Sequence, residues 1–230
     1  MIGDMSDTDD VKPPSINVRE NGPLLVWGGV TVRRESIVAS EHGEPMTYTS
    51  GDAMDTGDVS ALCRCGESSN KPFCDGTHVS AGFDGTEAAP ASYADNSNEL
   101  GGTGITVHDN RSVCVHAGFC GTRVANVWKL TGDTEESTTR IQVIGMVENC
   151  PSGALTYSLD GSADSNEPRL PVEIAVLDDG PLFVKGGIPV TAADGTELEV
   201  RNRVTLCRCG QSANKPYCDG AHKEAGFADS

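Results

Sequence analysis

Cations are scarce in this 230-residue chain: 17 Lys and Arg stand against 34 Asp and Glu, a formal charge of −17 at pH 7. Nucleic-acid binding depends on clustered Lys and Arg that displace counterions from phosphates, so DNA and RNA are not expected partners. The acidity favours solubility or a basic partner instead. Long apolar runs are missing too. None approaches the ~20 residues that a spanning helix needs, and the stretch from Met1 to Asp7 lacks the basic start and apolar core of a signal peptide. A soluble, cytoplasmic protein without membrane contact is the expectation. There is no dinucleotide-binding glycine fingerprint, no P-loop and no nucleophile elbow, so no autonomous enzyme is expected. With 37% hydrophobic residues and only 5% aromatics the apolar core is modest, and a bound metal group could add cohesion.

What the chain does have is nine cysteines. An odd number gathered in short motifs reads better as metal ligation in a reducing compartment than as a disulfide framework. The sequence also contains itself twice. Gly22-Pro23-Leu24-Leu25-Val26-Trp27-Gly28-Gly29-Val30-Thr31-Val32 recurs as Gly180-Pro181-Leu182-Phe183-Val184-Lys185-Gly186-Gly187-Ile188-Pro189-Val190, and Leu62-Cys63-Arg64-Cys65-Gly66 recurs as Leu206-Cys207-Arg208-Cys209-Gly210. Each leading segment alternates apolar residues around a Gly-Gly pair, a pattern that predicts a β-hairpin turning at positive φ. Residues 35–60 form a polar, acidic insertion in the first copy, expected as a surface excursion with some strand content. Linkers at 84–99 and 161–171 bracket a third unit.

Each copy ends in a Cys-x-Cys-x8-Cys-x3-His motif: Cys63, Cys65, Cys74 and His78 in the first, Cys207, Cys209, Cys218 and His222 in the second. Cysteines two apart can hold one iron, and the Cys-x3-His pair arrives on a separate segment to hold another. Gly76 and Gly220 relieve crowding beside a bulky group, Asp75 and Asp219 suit a helix N-cap, and Pro72 and Pro216 stiffen the approach to the third cysteine. Three thiolates and an imidazole also satisfy tetrahedral zinc, although zinc sites more often use Cys-x2-4-Cys pairs. The complete signature, present in both copies with Thr77 and Ala221 at its variable position, resembles that of the CDGSH iron-sulfur (mitoNEET-like) family. The resemblance implies two [2Fe-2S] clusters held by three cysteines and one histidine each. Exchanging one thiolate for a neutral imidazole raises the reduction potential above that of four-cysteine ferredoxins. Acid competes with iron for His78 and His222, and in the family this ligand faces solvent, which implies a cluster that can be lost or handed over.

The middle unit holds Cys114-Val-His116-Ala-Gly118-Phe-Cys120 and Cys150-Pro151-Ser152-Gly153-Ala154-Leu155. It looks like the divergent single-cluster 4Fe-4S ferredoxin family and is also similar to bacterial ferredoxins whose Cys-x5-Cys and distant Cys-Pro hold [3Fe-4S]. A four-iron ferredoxin normally supplies Cys-x2-Cys-x2-Cys and a Cys-Pro, whereas Ala117 takes the second cysteine's position. Either the cluster is [3Fe-4S] on Cys114, Cys120 and Cys150, the reading preferred here, or it is [4Fe-4S] with His116 or solvent on the fourth iron. His116 is equally readable as a neighbour hydrogen-bonded near the cluster. Strands at 104–108 and 155–159 are expected to flank a helix whose stripe is Ile141, Ile144 and Val147, stopped by Pro151. His108 reads as a strand residue and His42 as solvated. Arg64, Arg208, Lys71 and Lys215 are expected to offset cluster charge or face solvent.

The expected fold class is α+β: two β-rich CDGSH halves, 20–83 and 171–228, form an intramolecular pseudo-dimer, with a small ferredoxin-like α+β unit at 100–160. The expected function is an electron carrier or redox relay with a redox partner protein. The alternative is a cluster-transfer or redox- and pH-sensing protein acting on an apo-protein acceptor, and a reductase accessory subunit is a third reading. A monomer is expected.

Overall fold

Strand β1 (Ser15–Val18) turns at Arg19, whose amide donates to the Pro23 carbonyl, and returns as β2 (Leu24–Trp27) in an antiparallel pair. The described residues of this computed structural model are 12–90, 92–160, 162 and 164–229; the N-terminal stretch and linker residues 161 and 163 lie outside them. After β2 come β3 (Thr31–Ala39), β4 (Pro45–Met54), β5 (Val59–Leu62) and the short helix α1 (Thr77–Ser80). The middle unit contributes β6 (Asn98–Gly101), β7 (Ile105–Asp109), α2 (Val127–Thr131), α3 (Ser137–Glu148) and β8 (Leu155–Leu159). The second repeat adds β9 (Glu173–Leu177), β10 (Leu182–Lys185), β11 (Val190–Thr191), β12 (Arg203–Leu206) and α4 (Ala221–Glu224).

The Gly28-Gly29 and Gly186-Gly187 pairs are not hairpin turns. β2 pairs with β1 and β5, and β3 leaves for the other half's sheet, where it runs parallel to β9. In return β11 runs parallel to β1. The registers Ile16 with Val190 and Val32 with Ile174 are counterparts in the repeat. The sheets are ordered β11-β1-β2-β5 and β12-β10-β9-β3-β4, so each half lends a strand to the other. Alternation in the sequence reports a half-buried strand but not which neighbour it pairs with, which is why the exchange mimics a hairpin.

One apolar core spans both halves. Ile16, Val26, Val32 and Leu62 of the first repeat join Ile174, Val184, Val190 and Leu206 of the second, all 6% exposed or less. Each such buried aliphatic side chain contributes about 1.5–3 kcal/mol. Val113, Cys114 and Ala154 of the middle unit enter the same cluster.

The insertion carries more strand than the sequence suggested. β3 and β4 form a long hairpin on the edge of the five-stranded sheet, and the second repeat has no equivalent of β4. This arm reaches the middle unit: the Tyr48 hydroxyl donates to the Asn149 carbonyl at 2.8 Å, and the Arg123 amide donates to Glu44 Oε1. Residues 84–90 lead along the second repeat, with Ala88 and Ala89 amides donating to the Lys215 carbonyl.

In the middle unit the sheet β6-β7-β8 is covered by α2 and α3. α3 buries Val143, Met146 and Val147 while Ile141 is 67% exposed, so the expected stripe is shifted around the helix. His108 lies on β7 with Nε2 3.3 Å from Ser158 Oγ, and His42 is exposed in the β3–β4 turn. Among the described residues no helix is long and apolar enough to cross a membrane.

Candidate metal centres

The cysteine loop of each half is fastened at both ends. Cys63 N donates to Pro72 O and Cys74 N to Ala61 O, and the second half repeats this with Cys207 to Pro216 and Cys218 to Thr205. Ser68 and Ser212 hydroxyls close the loop on the Phe73 and Tyr217 carbonyls at 2.6 and 2.7 Å. Asp75 and Asp219 act one residue earlier than the N-cap position. Glycine occupies that position in a left-handed conformation, and the carboxylates accept the Thr77 and Ala221 amides across it. Hydrogen bonds from Thr77 first and from Ser69 hold the exposed Asp75 carboxyl well below the usual carboxylate range.

The donors meet two by two. Cys63 and Cys65 sulfurs are 3.6 Å apart and Cys207 and Cys209 sulfurs 3.8 Å apart; Cys74 Sγ is 3.4 Å from His78 Nδ1 and Cys218 Sγ 3.3 Å from His222 Nδ1. Two thiolates on one tetrahedral metal at ~2.3 Å stand about 3.7 Å apart, so each pair has the span of two donors on a shared metal. Among the described residues no three His, Cys, Asp or Glu side chains gather around a single-ion point. A cluster with two protein donors per iron fits this arrangement better than one ion taking all four.

Burial pushes the Cys65 thiol up to about 11 and the Cys218 thiol up to about 12. In the Cys207–Cys209 pair the shared hydrogen bond draws Cys207 down and drives Cys209 up. Thiols that resist ionisation in the buried pocket become thiolates on meeting a metal cation, with proton release. Burial, then the Lys223 charge, lowers the His222 pKa and favours the neutral imidazole that binds metal.

Arg64 and Arg208, the middle residues of the Cys-x-Cys pairs, neither face solvent nor pair with the donors. They are 2% and 1% exposed, and they bind backbone carbonyls: Arg64 those of Arg19 and Gly22, Arg208 those of Leu177 and Gly180. Each fastens a β-turn to its cysteine loop. Arg208 also pairs with Asp229. Lys71 and Lys215 donate to the Ser68 and Ser212 carbonyls. The repeat of an arginine between cysteines was visible in the sequence; its carbonyl partners, distant along the chain, were not.

The two loops meet back to back. Cys65 and Cys209 form an isolated antiparallel bridge. A β-carbon on Gly66 would stand 2.7 Å from the Cys209 carbonyl oxygen, and one on Gly210 would stand 2.6 Å from that of Cys65.

The duplicated sites differ in cover. His222 is 7% exposed and Cys218 1%, whereas His78 and Cys74 are half-buried. The cover is the middle unit's cysteine loop. Asn214 Nδ2 donates to Ser112 O at 2.9 Å, Lys223 Nζ donates to His116 O, and the His116 ring lies over Gly220.

Cys114, Cys120 and Cys150 line one cavity of about 150 Å³, with Phe119, Pro151 and Leu155 among its walls. His116 and Ala117 also line it. Burial raises the Cys120 thiol, and the His116 amide points at Cys114 Sγ from 3.5 Å. Three thiols around one apolar cavity suit a polynuclear iron-sulfur group. Phe119 packs on Tyr48 at 4.9 Å between ring centres, so the β3–β4 arm backs that wall of the cavity.

Comparison with known families agrees with the geometry. Residues 21–79 and 179–223 match the family described as iron-binding zinc finger, CDGSH type, and residues 100–160 match the divergent 4Fe-4S mono-cluster family. No curated protein matches the chain.

Proposed function

On a chain that carries two CDGSH-type segments around a divergent mono-cluster ferredoxin segment, and is thus an iron-sulfur protein, we propose an electron carrier or redox relay. Cys63, Cys65, Cys74 and His78 hold one [2Fe-2S] cluster, and Cys207, Cys209, Cys218 and His222 hold another. Cys114, Cys120 and Cys150 hold the third as [3Fe-4S], with [4Fe-4S] as the alternative nuclearity. When bound, these groups supply reversible one-electron chemistry, and the protein sets their ligation, exposure and hydrogen bonding. The observation that carries the reading is contiguity: the middle loop lies on the second site, and the second site abuts the first through Cys65 and Cys209. The chain supplies carriage, not a reaction of its own, and its physiological partner is a redox protein.

The half-exposed His78 favours a second reading, delivery of a cluster from the first site to an apo-protein. Replacing Cys114, Cys120 or Cys150 by Ser separates the two. A relay loses its central cluster and passes electrons from donor to acceptor more slowly, with both histidine-ligated clusters spectroscopically intact. A cluster donor delivers [2Fe-2S] to an apo-ferredoxin at the parental rate and shows no redox defect. Anaerobic iron and sulfide quantification with electron paramagnetic resonance fixes the central nuclearity. Stoichiometric zinc in a colourless, folded protein overturns the iron-sulfur assignment, because d¹⁰ zinc gives no visible charge-transfer band.

A further inference from the structure

We infer that the three sites form a line, central to second to first, and that His116 is the positioning residue that joins the central site to the second. This rests on the relay reading and adds to it an order and a residue. His116 is two residues from Cys114, and its amide faces the Cys114 sulfur. A β-carbon on Gly220 would meet His116 Cδ2 at 2.5 Å, His116 Nε2 at 3.4 Å and Cys114 O at 3.4 Å. Gly220 lies two residues from both Cys218 and His222, so one imidazole spans the gap between two donor sets. Its counterpart Gly76 has nothing within 4 Å. The middle unit therefore packs on the glycine of the second motif, whereas among the described residues nothing packs on its counterpart in the first.

His116 is held for this place. It is one of three non-glycine residues with positive φ among the described residues, at φ 55, a conformation that residues other than glycine adopt uncommonly. Lys223 clamps its carbonyl, and Asn214 clamps Ser112 four residues earlier. Both clamps come from the second CDGSH-type motif. In the first motif Asn70 keeps the asparagine, but Val79 stands where Lys223 does and is 77% exposed. The second site is thus built as an interior station, and the first is the port to solvent.

The step served is the movement of one electron from the central site to the second, with no bond made or broken and no proton transferred. His116 sets the spacing and excludes water from the contact. Electron transfer between fixed centres slows as the spacing between them grows, so the test is kinetic.

In the fully loaded chain, His116→Asn keeps a residue that tolerates the left-handed backbone but removes the ring. After flash photoreduction, electron redistribution between the central and second clusters should slow, while redistribution between the second and first stays parental. Magnetic coupling between the central and second centres should weaken, and iron content should be unchanged. Lys223→Met, which frees the His116 carbonyl without touching the ring, should act in the same direction and decides the matter if the first variant misfolds. Parental rates and coupling in both variants, with three clusters present, overturn the assignment. Selective loss of the central cluster in His116→Asn also overturns it, by making His116 a ligand. Absence of any redistribution between clusters in the parent chain would instead defeat the relay reading itself.

Discussion

Cys65 and Cys209 pair across the pseudo-two-fold axis, so that a cysteine of one motif and its counterpart in the other share a backbone bridge. A glycine following each cysteine permits the approach, because a side chain on either would strike the opposing carbonyl. Gly210→Ala combines a disfavoured positive φ with overpacking, and we expect a loss of roughly 2–5 kcal/mol. Since the new methyl presses on Cys65, cluster release should accelerate at both halves. Visible circular dichroism of variants lacking one cluster or the other reads this, and an effect confined to the second half would show that the bridge does not couple them.

Mild acid should empty the first site before the second. Protons compete with iron for the imidazole, and loss grows as the pH falls; His78 is half-exposed, while His222 is 7% exposed beneath the middle unit. His78→Cys should slow the fast phase of absorbance decay between about pH 5 and 6, and His222→Cys should alter only the slow phase. A single phase for both sites would refute the difference in cover.

Lys185 is enclosed between two carboxylates, 2.6 Å from Glu35 and 3.1 Å from Glu173, and is 6% exposed. Glu173 keeps Arg33 as a second partner, but Glu35 has no other cation among the described residues. Lys185→Met should therefore destabilise the chain by about 3–5 kcal/mol, the cost of an uncompensated buried charge. Adding Glu35→Gln should recover part of that loss in urea unfolding. No recovery would place the damage elsewhere than in the stranded carboxylate.

Asp229 reports on acid stability. Burial opposes its ionisation, but Arg208 and Arg34 outweigh this and hold it below the usual carboxylate range. A lowered native value means that the contribution is complete above the ordinary unfolded value of about 3.9 and is lost as the pH falls through the native one. Asp229→Asn should be less stable than the parent by a constant margin from pH 7 to about 5, a gap that closes below about pH 4. Urea midpoints across this range check the sign; a gap that widens in acid would contradict it.

The Tyr48 hydroxyl makes one of the arm's two hydrogen bonds to the middle unit among the described residues. Tyr48→Phe should cost about 0.5–1.5 kcal/mol, because the Asn149 carbonyl loses its donor in a part-buried place. The loss should appear as faster release of the central cluster, with the other two unaffected.

The repeat, the three cysteine groups and the α+β class were legible because each is written in residue identities at short spacing. Cys63 with Cys65, and Cys74 with His78, come together as their spacing suggested. Partner choice across long separations was not legible. Val32 carries no mark that its strand will lie beside Ile174 rather than Val26, since an alternating strand fits any half-buried sheet position. Nor does His116 announce that its neighbour is Gly220. That contact is made by docking of two units far apart in the chain, each locally ordinary.

The exchanged strands β3 and β11 have a genetic consequence. A pair of identical subunits must repeat every substitution on both sides of its axis, so neither cluster could acquire surroundings that the other lacks. Fusion of the two copies removes that constraint. Lys223 differs from Val79, and only one site lies beneath the middle unit's cysteine loop. Twin sites carried on one chain are free to differ, one residue at a time, as an inner and an outer terminal.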